Sequence, residues 1–139
     1  MRPLNRTTAS RPALLPIRIM QIGEGNFLRA FADWAIDLLN EKEGFDAGVA
    51  VIQPTPRGNT DIHRAQQGLY HHQMRGIHQG RKTDSIRLIS CIQEVINPYE
   101  NPMDYFVLAQ NPQLQMVISN TTEAGIRFEE EPLPEVGNM

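Results

Sequence analysis

The chain has 139 residues, of which 40% are hydrophobic and 21% charged, and its formal net charge is −3. This length permits one domain at most, and the slightly acidic composition lacks the basic stripe that a nucleic-acid groove requires. No apolar run approaches the ~20 residues of a membrane span, and residues 1–16 lack the apolar core of a secretory signal. With Cys91 as the single cysteine, we expect a cytoplasmic protein without nucleic-acid or membrane partners.

The first predicted elements are an arm, a strand and a glycine-containing turn. Residues 1–16 contain three prolines and are interpreted as an extended arm, and Ile17 to Ile22 form an apolar run that predicts a strand. Gly23 permits a tight turn after this strand, and Gly25 lets the backbone approach a pyrophosphate. The third glycine of a full dinucleotide fingerprint is replaced by Leu28. An ordinary strand–turn–helix corner therefore stays the alternative interpretation.

A helical pattern from Asn26 to Glu41 predicts the first helix, closed by Gly44. The apolar positions on one face are Phe27, Phe31, Trp34, Ala35 and Leu38. The polar positions assigned to the opposite side are Asp33, Asp37 and Asn40. Asn26 is a favourable N-cap residue. Arg29 lies in the first turn, where a cation opposes the helix dipole, so it favours a phosphate or carboxylate ligand.

The second predicted strand, Ala47 to Ile52, is nearly all apolar, as in a buried parallel strand. Gln53 follows it, at the place where an acid often holds the ribose hydroxyls of NAD. Glutamine can also bind a ribose, whereas Arg57 would suit the additional phosphate of NADP. The residues at the end of this strand therefore leave the choice of dinucleotide open.

The second half of the chain predicts an antiparallel insertion and a further parallel strand. Its expected elements are helix 60–67, strands 69–74 and 86–92 joined across a polar stretch 76–83, a helix from Asn101 or Pro102 to Gln110, and strand 114–119. In that last helix Tyr105, Leu108 and Ala109 are expected to face inward. The polar loop 120–125 follows a parallel strand, where ligands of open α/β sheets gather. We expect residues 129–139 to be disordered.

Histidine and cysteine spacing does not indicate a metal site. His71 and His72 are adjacent in a predicted strand, so their side chains point to opposite faces. No cysteine pair or helical histidine pair supports zinc. Cys91 lies in an apolar strand pattern, so we expect a buried, unreactive thiol.

Several strings, in the same order, resemble the mannitol dehydrogenase family, a group of polyol and uronate dehydrogenases. These strings are Gly23-Glu24-Gly25-Asn26-Phe27-Leu28-Arg29-Ala30-Phe31, Asp33-Trp34, Ile36-Asp37-Leu38-Leu39-Asn40, Gly68-Leu69-Tyr70 and Ser119-Asn120-Thr121-Thr122-Glu123-Ala124-Gly125-Ile126. The resemblance implies NAD, ahead of NADP, as the cofactor and a sugar acid as the substrate. The residues it implies at the cofactor site are Gln21, Ile22, Gly23, Glu24, Gly25, Asn26, Phe27, Leu28, Arg29, Ala30, Gln53, Asn120 and Thr121.

The resemblance also implies that residues 17–128 are the N-terminal part of an α/β, Rossmann-like dinucleotide-binding domain. The family's catalytic lysine, asparagine and histidine belong to a helical C-terminal domain, and neither Lys42 nor Lys82 matches that lysine. We therefore expect the cofactor half of a site without catalytic residues, with Glu123 a disfavoured acid–base candidate. Because an incomplete sheet exposes an edge, self-association is expected. A non-catalytic nucleotide-binding or interaction domain is the alternative function.

Overall fold

The computed structural model describes residues 4–9, 14–121, 125, 126 and 128. Its strands are β1 (Ile17–Ile22), β2 (Gly48–Ile52), β3 (Tyr70–His78), β4 (Arg81–Ile89), β5 (Ile92–Ile96) and β6 (Met116–Ser119). Its helices are α1 (Asp33–Glu43), which a π-helical segment at Leu28–Ala32 precedes directly, α2 (Thr60–Ala65) and α3 (Pro102–Ala109). Among these helices none has both the length and the apolar character needed to cross a lipid bilayer.

Four parallel strands form the main sheet in the spatial order β5-β2-β1-β6. The chain runs outward from β1 through β2 to β5 and then returns to the other side of β1. The strand order therefore reverses between β1 and β6, and the loops after these two strands meet at one edge. Open parallel sheets bind their ligands at such a reversal.

Apolar side chains cover both faces of this sheet. On one face, Ile19, Val49 and Val51 pack with Ile36 of α1 and Ile89 of β4. The other face carries Met20, Ala50, Ile52 and Ile96, which pack with Leu108 of α3. All five residues of β2 are buried, as expected for an interior parallel strand. The predicted α/β class, with parallel strands and an inserted antiparallel hairpin, is confirmed.

The hairpin is longer than predicted, and the sequence interpretation missed β5. Strands β3 and β4 pair over nine residues each, so the stretch 76–83 is the hairpin tip rather than a polar connection. Gln79 and Gly80 form its turn with φ of +50° and +76°, the backbone that two-residue hairpins favour. The strand predicted at 86–92 joined the end of β4 to the start of β5. Gln93 and Glu94 interrupt the apolar run of β5, and this hid the strand.

The predicted faces of the first helix were wrong at four positions, although Trp34 packs against the core as predicted. Asp33 and Asp37 are buried, whereas Phe27 and Phe31 are 59% and 61% exposed and stack on each other. The π-helical segment carries more residues per turn than an α-helix, so it shifts the helix faces relative to the 3.6-residue pattern. In α3, Leu108 is buried as predicted, but Ala109 is exposed. The predicted tail at 129–139 lies outside the described residues.

Candidate functional site

The glycine turn sits at the carboxyl end of β1. The amide of Gly23 donates to the carbonyl of Ile52 at 2.9 Å, and the amide of Arg29 donates to the carbonyl of Gly25 at 3.2 Å. Gly23 has φ of +119°, which side-chain-bearing residues rarely adopt. No described heavy atom lies within 4 Å of a Cβ built on Gly25. The space in front of Gly25 is therefore open to a ligand.

Three residues close to the turn have buried or half-buried side chains. Gln21 is fully buried, and its Nε2 donates to the carbonyl of Gly23 at 3.1 Å. Ile22 is half-buried and packs against the α3 side of the sheet. Leu28, which replaces the third glycine, is buried, and its Cδ1 lies 3.2 Å from a Cβ built on Gly23. Leu28 therefore packs under the turn instead of allowing a closer helix approach.

Asn26, Phe27 and Ala30 lie on the exposed side of the first helical turns. The cap role predicted for Asn26 was wrong, because the first helical hydrogen bond is accepted by Gly25 and Asn26 already lies inside the first turn. The Oδ1 of Asn26 instead accepts from the guanidinium of Arg29 at 2.6 Å. This contact fixes the guanidinium beside Asn26, the residue that follows Gly25.

Tyr70, the first residue of β3, contacts Arg29. The guanidinium carbon of Arg29 lies 5.6 Å from the centre of the Tyr70 ring, a cation–π geometry. The Tyr70 hydroxyl is 2.7 Å from the carbonyl of Arg29 and 3.1 Å from Oδ2 of Asp33. Sequence reasoning assigned no role to Tyr70, because its partners lie about 40 positions away in the chain.

Asp33 is a buried carboxyl group beneath the turn. Its Oδ1 and the Oε1 of Gln21 have no hydrogen-bond partner among the described residues. Burial raises the pKa of Asp33 to about 6, although the hydrogen bond from Tyr70 and the charge of Arg29 act in the opposite direction. Ionised Asp33 therefore costs folding free energy that neutral Asp33 does not.

Replacing Asp33 by Asn should stabilise the fold more at high pH than at low pH. Because the folded-state pKa lies above the unfolded value of 3.8, wild-type stability falls as the pH rises from 3.8 through about 6. The difference in unfolding free energy between Asp33→Asn and wild type should grow by about 1.5 kcal/mol from pH 5 to pH 8. Urea unfolding across this range measures it, and a pH-independent difference would contradict the buried charge. Asp61→Asn, at an exposed position, is the control.

Gln53 lies at the predicted edge, at the end of β2, but its side chain points inward. It is buried, its Nε2 donates to the carbonyl of Thr55 at 2.9 Å, and its Oε1 accepts from the hydroxyl of Thr60. The amide side chain thus holds the loop between β2 and α2, while Arg57 in that loop is exposed. The predicted contact of Gln53 with a ribose stays a prediction.

Asn120 and Thr121 follow β6 and are exposed at the same sheet edge as the glycine turn. Glu123 lies outside the described residues. Cys91 is fully buried, as predicted, and burial raises its pKa well above the ordinary value of a thiol. Within the described ranges, no three His, Cys, Asp or Glu side chains form a group that could hold a metal ion.

A family model for the mannitol dehydrogenase Rossmann domain matches residues 17–137. The chain belongs to the mannitol dehydrogenase family. It is 45% identical over 129 residues to the altronate oxidoreductase of Phocaeicola vulgatus, covering 93% of this chain and 27% of that protein. An altronate oxidoreductase of Halalkalibacterium halodurans is 43% identical over 118 residues, covering 84% and 23%. The chain thus spans about a quarter of the length of these curated relatives.

Solved structures share the fold. A mannitol 2-dehydrogenase of Pseudomonas fluorescens, in ternary complex with NAD and D-mannitol, superposes with a TM-score of 0.70 at 18% identity. The match covers 86% of this chain and 26% of that one. A D-sorbitol dehydrogenase in substrate-free form gives a TM-score of 0.67 at 20% identity, covering 88% and 28%. The sheet with its strand order is therefore a Rossmann-type sheet.

Proposed function

We propose that this chain forms the cofactor-binding part of an NAD-dependent oxidoreductase that acts on a sugar acid. The observation that carries the proposal is the open face of Gly25, at the point where the strand order of a Rossmann-type sheet reverses. The altronate oxidoreductases, at 43% and 45% identity, support a sugar acid such as altronate or its ketone form, tagaturonate, as the substrate. The reaction moves a hydride between NAD(H) and a ketone or secondary alcohol.

The residues around the turn fit a dinucleotide. The exposed amide groups at the start of the first helix and the guanidinium of Arg29 suit the pyrophosphate. The loop after β2, with Gln53 and Arg57, suits the adenosine ribose, and Asn120 with Thr121 suits the nicotinamide end. When bound, the nicotinamide supplies the hydride chemistry, and the protein supplies binding and orientation.

Within the part of the chain that the structure describes, neither lysine lies where it could serve the proton transfer. A positioned acid typically contributes about 10²–10⁴-fold to such a reaction. Lys42 is exposed at the end of α1 and Lys82 near the hairpin tip, both remote in the fold from the glycine turn. We therefore assign cofactor binding, but not turnover, to this chain. The proposal includes a cytoplasmic location and no nucleic-acid or membrane partner.

Titration calorimetry with NAD and NADP tests the proposal. We expect weak binding of NAD and a modest preference over NADP, because Gln53 and Arg57 place no negative charge against a 2′-phosphate. NADH oxidation with tagaturonate should stay at the background rate. Absence of any NAD binding by the folded chain would refute the assigned site, and turnover would place a catalytic acid within these residues.

Self-association is a separate part of the proposal. In the described sheet β6 is an edge strand, and Met116 and Val117 on it are exposed, as are Met103, Phe106 and Val107 of α3. Such a surface favours contact with a second apolar surface. A concentration-dependent mass in sedimentation experiments is the expected result.

A further inference from the structure

Glu24, the middle residue of the glycine turn, points away from the open space in front of Gly25. Its Oε1 accepts from the backbone amide of Asn59. Its Oε2 lies 3.8 Å from Nε2 of His63 in α2. The side chains of Glu24 and His63 are only 12% and 7% exposed. A carboxylate inside a predicted phosphate-binding turn is thus buried against the next helix.

The loop after β2 packs onto this carboxylate. A Cβ built on Gly58 would lie 2.5 Å from Oε1 of Glu24 and 2.4 Å from Oε1 of Gln53. The loop backbone therefore packs closely against the side chains of Glu24 and Gln53, and a side chain at position 58 would require their ends to shift. Ile22 and Ile52, the last residues of β1 and β2, are register partners. The loops that follow β1 and β2 therefore contact each other through Glu24 on one side and Gly58 and Asn59 on the other.

Repulsion explains why Glu24 is unsuited to touch the cofactor directly. A carboxylate beside a pyrophosphate would repel it. The Glu24 carboxylate instead lies against Asn59 and His63. Burial and the charge of Arg29 lower the pKa of His63, and Glu24 opposes this. The 3.8 Å separation between Glu24 and His63 is too long for a hydrogen bond, so the hydrogen bond from Asn59 is the main attachment of Glu24.

We propose that Glu24 is a positioning residue that fixes loop 53–59 for the adenosine ribose, and that it is not a ligand of the dinucleotide. This inference rests on the proposed function. It separates the site into a phosphate part, made by Gly25 and Arg29, and a ribose part, whose shape depends on Glu24. It also gives Glu24 a role other than the direct cofactor contact implied by the family resemblance.

The test compares Glu24→Ala with Glu24→Gln, because the glutamine oxygen still accepts from the amide of Asn59. Calorimetric titrations use ADP-ribose, which needs both parts of the site, and inorganic pyrophosphate, which needs the phosphate part alone. Glu24→Ala should weaken ADP-ribose binding about tenfold, as expected for one lost hydrogen bond to a carboxylate, and pyrophosphate binding less than about twofold. Glu24→Gln should bind ADP-ribose within about threefold of wild type. Glu43→Ala, at an exposed glutamate, is the matched control.

Hydrogen exchange at the Asn59 amide gives a second measurement that needs no ligand. Protection of this amide should be lost in Glu24→Ala and kept in Glu24→Gln, with the amides of β2 unchanged in both. Unchanged ADP-ribose affinity or unchanged Asn59 protection in Glu24→Ala would overturn the inference, as would an equal loss of pyrophosphate binding. Failure of the wild-type chain to bind ADP-ribose would instead refute the proposed function.

Discussion

A Gly25→Val variant is expected to lose dinucleotide binding while its fold stays intact. An added Cβ at Gly25 meets no described atom within 4 Å, and the φ of this residue lies outside the left-handed region. The protein therefore tolerates a side chain there, but the isopropyl group occupies the space through which a pyrophosphate would approach. We expect at least about a 100-fold loss of ADP-ribose affinity, equivalent to ~3 kcal/mol, by titration calorimetry.

Gly76→Val is the matched control for this variant. Gly76 lies in β3, and the nearest atom to a Cβ built there, Oγ1 of Thr83, is 4.0 Å away. The same substitution should therefore leave both unfolding free energy and nucleotide affinity near wild type. Gly23→Val would be a poor test, because a φ of +119° makes any side chain at Gly23 strained. Wild-type affinity in Gly25→Val would mean that the pyrophosphate lies elsewhere.

Asp37→Ala is expected to lower the free energy of unfolding by about 3–5 kcal/mol, the usual effect of removing one partner from a buried ion pair. Asp37 is buried, and its Oδ1 accepts from the amide of Ser90 at 2.8 Å and from the Ser90 hydroxyl at 3.0 Å. Its Oδ2 accepts from Nε of Arg87 at 3.0 Å. Without this carboxylate the amide of Ser90 loses its partner, and the mostly buried guanidinium of Arg87 keeps only the exposed carboxylate of Glu41 and the carbonyl of Asp37. Urea unfolding measures the change.

Glu41→Ala provides the comparison, because Glu41 pairs with the same guanidinium. Its side chain is 57% exposed, so solvent screens the pair and the expected loss is below about 1 kcal/mol. An equal loss of unfolding free energy in the two variants would show that the contribution of Asp37 to stability does not depend on its burial. The amide of Ser90 should exchange faster in Asp37→Ala only.

The strand, turn and start of the first helix could be predicted because their determinants are consecutive in the sequence. Ile17 to Ile22 form an apolar run, and the glycines follow at once. The burial of Asp33 and Asp37 could not be predicted, because their partners Tyr70, Arg87 and Ser90 lie 37 to 53 positions further along the chain. Local polarity therefore indicated an exposed face, where tertiary contacts produce a buried one.

The inward side chain of Gln53 was missed for a related reason. Its position at the end of β2 follows from the apolar run before it, and this part of the prediction agrees with the structure. The direction of its side chain depends on the hydroxyl of Thr60, which donates to Gln53. The two groups meet because the loop folds back over the strand end. Sequence position identified the edge of the sheet, but the loop fold decided which groups face the ligand.

The two buried carboxylates of α1 also constrain the order in which this protein folds. As the chain leaves the ribosome, residues 33–43 emerge well before Tyr70, Arg87 and Ser90. Docking α1 on β1 and β2 at that stage would remove Asp33 and Asp37 from water without their hydrogen-bond donors. We therefore expect the helix to dock only together with the hairpin, with the loop closure that brings β3 and β4 onto α1 as the slow, non-local step of folding.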